Sequence, residues 1–254
     1  MQNAALEALG MSDEWLYDAI EVSASEFPEL ITRLPEQSYR GVNVTIPHKS
    51  LALEVADEIS DAASAIGASN TLIFDQGSVR AENTDAIGVL EATPESARSG
   101  RTLVLGAGGV SRAAVWALSM AGSEVSVWNR SPERALELVS TLEVEGVAPV
   151  AVEAEAAEAG GFDLIVNCTA VGMPGRDDDP FEVLPITREG VEGCVVLDLV
   201  YSGVETRLVA EAALAGAEAI GGLESLVRQG AESFRLWTGI DPPLDVMRSA
   251  ASSD

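Results

Sequence analysis

Between Thr102 and Ile220 six short apolar runs recur at regular intervals, and this rhythm restricts the possible fold more than any other feature of the chain. The runs are Thr102-Leu-Val-Leu105, Val125-Ser-Val-Trp128, Ala148 to Val152, Leu164-Ile-Val166, Val195-Val-Leu-Asp-Leu199 and Glu218-Ala-Ile220, with stretches of helical spacing between them. Continuous Val/Leu/Ile runs belong to strands covered on both faces, because a half-exposed strand alternates with polar residues. The pattern therefore predicts an α/β fold with a doubly wound, Rossmann-type parallel sheet. The first run leads directly into Gly106-Ala-Gly-Gly109-Val-Ser-Arg-Ala113 and then into a helix expected over Ala113 to Ala121. Glycines there let the backbone approach a pyrophosphate whose charge rests on the helix N-terminus. A Gly-rich turn without a ligand is the alternative, and Ser111 stands where the dinucleotide fingerprint has Gly or Ala.

The first part of the chain has a different texture. A helix opens it, over residues 3 to 10, and Trp15 to Val22 read as a strand. An amphipathic segment runs from Phe27 to about Leu34, and Leu51 to Ile66 read as one helix ending at Gly67. Thr71-Leu-Ile-Phe74 and Val79-Arg-Ala-Glu82 flank Asp75-Gln-Gly77 as a hairpin. Pro94 to Gly100 is short and patternless, and the domain boundary is expected there. Residues 1–93 then form an α/β substrate domain and residues 100–221 the dinucleotide domain. Residues 222–254 form a helical segment packing back on the first domain, its helix running from about Leu223 to Thr238, with Ala250 to Asp254 disordered.

Composition narrows the function. The net charge is −26, spread along the chain, which repels nucleic acid and anionic membrane. Distributed carboxylates of this density point to a salt-loving host, where counterions screen the self-repulsion. No run of eighteen apolar residues is present, and the N-terminus has neither a basic n-region nor an apolar h-region, so a cytoplasmic location is expected. Cys168 and Cys194 lie inside apolar runs and read as small buried hydrophobes, and with one His a metal site is not expected.

Against this background the stretch Gly41-Val-Asn-Val-Thr-Ile-Pro-His-Lys49 stands out, because it holds the only lysine and the only histidine. Alternation of Val42, Val44 and Ile46 with Asn43 and Thr45 predicts a strand that Pro47 ends, delivering polar groups and an ammonium at a strand terminus. An edge strand followed by a solvated Lys is the plainer alternative. Asn83-Thr-Asp85 supplies a carboxylate that could stand beside Lys49 as a proton-transfer pair, or Thr84 or Asp85 could cap the following helix. After the second strand of the dinucleotide domain, where an NAD site places a carboxylate, the chain has Asn129-Arg130-Ser131 and then Arg134. Two guanidiniums there favour the 2′-phosphate of NADP, unless they only pair with surface acids.

These motifs, in order, resemble the shikimate dehydrogenase family over nearly the whole chain: Asn43-Val-Thr45-Ile-Pro47-His-Lys49, Gly67-Ala-Ser-Asn70-Thr71, Asn83-Thr-Asp85, Gly106-Ala-Gly-Gly109, Asn129-Arg130-Ser131, Asn167-Cys-Thr169-Ala-Val-Gly-Met173, Asp198-Leu-Val-Tyr201 and Gly221-Gly-Leu with Gln229. The resemblance implies reversible NADPH-dependent reduction of 3-dehydroshikimate to shikimate in aromatic amino-acid biosynthesis, with a small-molecule substrate and a monomer or homodimer. It implies Lys49 and Asp85 as the catalytic pair and Asn43, Thr45, Asn70, Tyr201 and Gln229 as substrate-binding residues. Gly106, Ala107, Gly108, Gly109, Asn129, Arg130, Ser131, Arg134, Thr169, Val171 and Gly221 would hold NADP. Quinate as a substrate and a non-catalytic dinucleotide-binding module are the alternatives, and an NADPH assay on both acids separates them. The chain departs from the family at Ser202-Gly203, where Asn-Pro is usual. It also begins at the helix that, in the family, follows a first strand and a turn with two carboxylate-binding serines. Met1 is accordingly expected to be internal to a longer protein, with the sheet of the first domain short of one parallel strand; Ser23-Ala-Ser25 has the serine spacing but follows the wrong strand.

Overall fold

The computed structural model describes residues 1–142, 144–176, 178–201 and 203–252. Ser202 of the Ser202-Gly203 departure, and Ser253 and Asp254 of the expected disordered end, lie outside the described residues. Two compact units are present, Met1–Ile87 with Val227–Asp254, and Gly88–Leu226. The division falls within the helix Thr84–Ala92 rather than in Pro94 to Gly100, because Val89 and Ala92 bury themselves in the core of the second unit.

The first unit is built on a four-stranded sheet of β1 (Gly41–Asn43), β2 (Glu58–Ile59), β3 (Thr71–Asp75) and β4 (Ser78–Glu82), in the order β1-β3-β4-β2. The sheet is mixed rather than parallel: β1–β3 and β3–β4 run antiparallel, and only β2–β4 is parallel. β3 and β4 close through Gln76 and Gly77, at φ 49° and 87°, the double left-handed turn whose twist suits a two-residue hairpin. One face carries a core of Phe27, Ile31, Leu34, Val44, Ala52, Leu72, Phe74, Val79 and Ala81.

Three further expectations for this unit fail. Trp15 to Val22 form no strand; the backbone of Tyr17 is instead gripped by the Asn3 carboxamide, which accepts from Tyr17 N at 2.9 Å and donates to Tyr17 O at 2.8 Å. Leu51 to Ile66 is not one helix. It splits into Leu51–Glu54 and Asp61–Ile66 around β2, because Ser60 caps the second helix by accepting from Ala63 N and the chain between them pairs with β4. The chain ends in an additional helix, Leu244–Ala251, whose Met247 and Ala251 are buried, so Ala250 and Ala251 are ordered. The helix Gly222–Thr238 extends as expected. Trp237 donates to Leu72 O at 3.0 Å and lies so close to β1 that a Cβ on Gly41 would collide with its indole.

The second unit has the expected parallel sheet. Its strands are β5 (Arg101–Leu105), β6 (Glu124–Trp128), β7 (Val150–Ala151), β8 (Leu164–Asn167), β9 (Val195–Asp198) and β10 (Glu218–Ile220), ordered β10-β9-β8-β5-β6-β7 and parallel throughout. β8 and β9 are buried at every position, which is why they read as uninterrupted apolar runs. Apolar clusters cover both faces, one around Val104, Leu118 and Leu197, the other around Leu103, Ile165 and Leu208. Strand order reverses between β5 and β8, the place where open α/β sheets bind ligands at the carboxyl ends of the strands. Among the described residues no helix is long and apolar enough to cross a membrane.

Candidate active site

In the first unit, the turn after β1 and the start of the helix Thr84–Ala92 meet at a single ion pair. Lys49 Nζ lies 2.6 Å from Asp85 Oδ2, with the carboxylate side chain 8% exposed and the lysine 24%. Asp85 is free to make this contact because the helix is capped by another residue: Asn83 Oδ1 accepts from Ala86 N at 3.3 Å. The other oxygen, Asp85 Oδ1, accepts from Asn70 Nδ2 at 2.9 Å, so the carboxylate is held from two sides. An ammonium carries three donors. Only one is used among the described residues, leaving two for a ligand.

Asn70, just before β3, is the hub. Its Nδ2 also lies 3.0 Å from Thr84 Oγ1 and 3.0 Å from Gln229 Oε1, and its Oδ1 accepts from Thr84 N at 2.7 Å. Gln229 Nε2 has no partner among the described residues. Asn43 reaches the same cluster through Thr71 Oγ1 at 3.1 Å and Ser233 Oγ at 2.9 Å. β1 ends at Asn43 rather than at Pro47, so Thr45 is exposed beyond its end. His48, although adjacent to Lys49, turns the other way: its ring stacks on Phe27 at 5.0 Å and Nε2 meets Val22 O at 3.1 Å. Ser23 and Ser25 are occupied with each other at 3.1 Å, and Ser23 with Glu26.

In the second unit, β5 runs into Gly106 at φ 109°, and the helix Gly109–Met120 begins four residues before the expected Ala113. Ser111, the departure from the fingerprint, accepts from Gly108 N at 3.0 Å and so closes the turn. A Cβ at Gly106 would press on Cys168 O at 3.1 Å, which ties this loop to the one after β8, whereas Gly108 and Gly109 face open space that only side-chain-free backbone leaves clear. The first-turn N–H groups of such a helix have no intrahelical acceptor and suit an anion. At the end of β6, Asn129 Nδ2 donates to Ser131 O at 2.9 Å. Ser131 stands at the N-cap of the helix Pro132–Thr141 without a capping hydrogen bond. Arg130 and Arg134 are exposed, and neither guanidinium has a hydrogen-bond or ion-pair partner among the described residues. In a chain with 41 acidic residues, two unpaired guanidiniums beside a helix start fit a phosphate.

The loop after β8 is shaped by Asn167. Its Oδ1 accepts from Thr169 N at 3.0 Å and Thr169 Oγ1 at 2.7 Å, and its Nδ2 donates to Val171 O at 3.2 Å and Asp198 Oδ1 at 2.8 Å. Burial pushes the Asp198 carboxyl above its ordinary range, while Thr206, Val200 N and Asn167 donate to it and pull it back. Burial likewise pushes the Cys168 thiol up to about 12. A Cβ on Gly222 would strike Val200 O at 2.6 Å, so Gly221 and Tyr201 sit on adjoining loops after β10 and β9.

Residues 1–72 match the shikimate dehydrogenase substrate-binding domain, residues 89–201 the shikimate / quinate 5-dehydrogenase family, and residues 222–251 the C-terminal domain of shikimate 5′-dehydrogenase. The NADP(+) shikimate dehydrogenase of Methanothermobacter thermautotrophicus is 41% identical over 264 residues, covering 98% of this chain and 89% of that one. The chain belongs to the shikimate dehydrogenase family. A crystal structure of the Thermus thermophilus shikimate 5-dehydrogenase in complex with NADP(H) and shikimate superposes with a TM-score of 0.84 at 39% identity, covering 98% of this chain and 91% of that one. A second shikimate dehydrogenase crystal structure, in complex with NADP+, gives 0.86 at 32% identity over 98% and 88%.

Within this shikimate dehydrogenase frame, the structure gathers Lys49, Asp85, Asn70, Asn43 and Gln229 in one hydrogen-bonded cluster of the first unit. Tyr201 belongs to the second unit. The cluster includes Ser233, which the sequence reading missed, and makes Thr71 and Thr84 full members. The only signal for Ser233 was its position one helical turn after Gln229.

Proposed function

We propose that the protein catalyses the reversible NADPH-dependent reduction of 3-dehydroshikimate to shikimate, a step of aromatic amino-acid biosynthesis. The observation that carries this reading is the Lys49–Asp85 pair, 2.6 Å apart and held by Asn70, in the unit that matches the shikimate dehydrogenase substrate-binding domain. In this reading the first unit takes the substrate and the second holds NADP(H). The bound cofactor supplies the hydride that reaches the carbonyl carbon. Lys49 donates a proton to the oxygen as negative charge develops there, and in the reverse direction takes it back. Asp85 keeps the ammonium in place without competing for the substrate, since Asn70 already fixes its second oxygen. Asn43, Thr45, Asn70, Gln229 and Tyr201 bind the hydroxyls and carboxylate of the ring acid.

On the cofactor side, the Gly106–Gly109 loop and its helix take the pyrophosphate, and Arg130, Ser131 and Arg134 take the 2′-phosphate. Asn129, Thr169, Val171 and Gly221 line the rest of the binding surface. The same reading places the enzyme in the cytoplasm of a halophile. Two unpaired cysteines and the net charge of −26 support it. The test is NADP+ reduction by purified protein with shikimate in molar KCl, followed by the absorbance of the reduced nicotinamide. Shikimate-dependent turnover, far faster with NADP+ than with NAD+, is expected; no turnover at any salt concentration would sink the proposal.

A further inference from the structure

Ser233 is 0% exposed, and its hydroxyl lies within hydrogen-bond distance of four groups at once. These are Gln229 O at 3.0 Å, Asn43 Nδ2 at 2.9 Å, Thr71 Oγ1 at 3.0 Å and Thr84 Oγ1 at 3.1 Å. The proton inventory resolves who donates. A backbone carbonyl can only accept, so the single Ser233 proton goes to Gln229 O. The oxygen then has only acceptor capacity left for its other neighbours, and Asn43 must turn its amide NH2 toward it. Asn70 O, 3.4 Å from Asn43 Nδ2, asks for the same orientation. The carbonyl oxygen of Asn43 is thereby forced to the outer side of the cluster. There the phenol of Tyr17 donates to it at 3.1 Å, a contact that an alcohol could replace.

We infer that Ser233 is a positioning residue that fixes the Asn43 carboxamide with its oxygen outward, so that Asn43 accepts a hydrogen bond from a ring hydroxyl of the substrate and disfavours a carboxylate there. The substrate half of this statement rests on the proposed function; the orientation of Asn43 does not. With Ser233 replaced by Ala, Thr71 Oγ1 and Asn70 O remain to hold the NH2 group, the former a hydroxyl that can donate or accept. The carboxamide then loses its one fixed short-range acceptor and samples the flipped state, which presents N–H groups to the hydroxyl.

Ser233→Ala should raise the KM for shikimate about 5- to 10-fold, the loss of roughly one hydrogen bond, while kcat and the KM for NADP+ change far less. In an Asn43→Ala background the same substitution should add nothing, since its effect passes through Asn43. An equal rise in both backgrounds, or no rise in either, overturns the inference. Hydrogen exchange of the Asn43 side-chain amide protons, read by nitrogen-15 NMR, tests the orientation without turnover. Protection in the unsubstituted protein that is lost in Ser233→Ala supports the inference, and equal exchange in the two overturns it. Should the protein fail to turn over shikimate, the proposed function falls and the exchange measurement still decides the role of Ser233.

Discussion

Lys49→Ala removes the proposed proton donor and leaves Asp85 buried beside Asn70 without its cation. A fall in kcat of about 10²-fold or more is expected, with a much smaller change in shikimate affinity, measured by steady-state kinetics and calorimetry. Unchanged kcat would remove Lys49 from the mechanism. Arg130→Ala should raise the KM for NADP+ and leave NAD+ almost unaffected, because only the former offers a ribose 2′-phosphate to this unpaired guanidinium. Cys168 is only half-buried, but desolvation pushes its thiol up to about 12, so it should react more slowly with iodoacetamide at neutral pH in the folded protein than after urea unfolds it. The Lys49–Asp85 ion pair was legible in the sequence because Lys49 is the only lysine in this chain and Asp85 belongs to the recognisable Asn83-Thr-Asp85 stretch. Its surroundings were not. Which of Asn83, Thr84 and Asp85 caps the helix is decided by side-chain geometry, and the inward turn of His48 depends on where Phe27 packs. Ser233 acquires meaning only when β1, β3 and two helices converge on it.

The same division holds for whole elements. Strands buried on both faces announce themselves by continuous apolar runs, and β5, β6, β8, β9 and β10 all appear where those runs lie. The failures occur where tertiary pairing overrides local pattern. β2 is two residues long and breaks an otherwise helical stretch because β4 offers an edge, and the extended segment at Trp15 to Val22 has its backbone held by Asn3 instead of a neighbouring strand. The final helix leaves little trace in the sequence because its buried residues are small or flexible, Met247 and Ala251. Gly41 offers a test of element packing, since Trp237 and Leu72 O leave no room for a methyl group between β1 and the helix Gly222–Thr238. Gly41→Ala should lower stability by about 1–3 kcal/mol, seen as a shift of the urea midpoint at unchanged slope. A midpoint equal to that of the unsubstituted protein would mean the helix is not seated against β1.

At the scale of the whole molecule, 41 acidic residues face 15 basic ones, and two of the surface arginines, Arg188 and Arg207, already share Glu211 and Asp179. Exposed pairs of this kind add little stability. The remaining carboxylates repel one another until salt shortens their reach to roughly 3 Å at 1 M. The melting temperature should therefore rise steeply from low salt to molar KCl, and a flat curve would contradict the salt-loving reading. The charge imbalance behind this expectation is read from composition alone, because net charge needs no fold. The scarcity of lysine has another outcome. With Lys49 as the only lysine, its ε-amine and the N-terminal amine are the only primary amines in the chain. Reductive methylation with carbon-13 formaldehyde would therefore light a single side-chain resonance in the entire protein. That one signal would follow the protonation of the amine paired with Asp85 as pH, substrate and cofactor are varied.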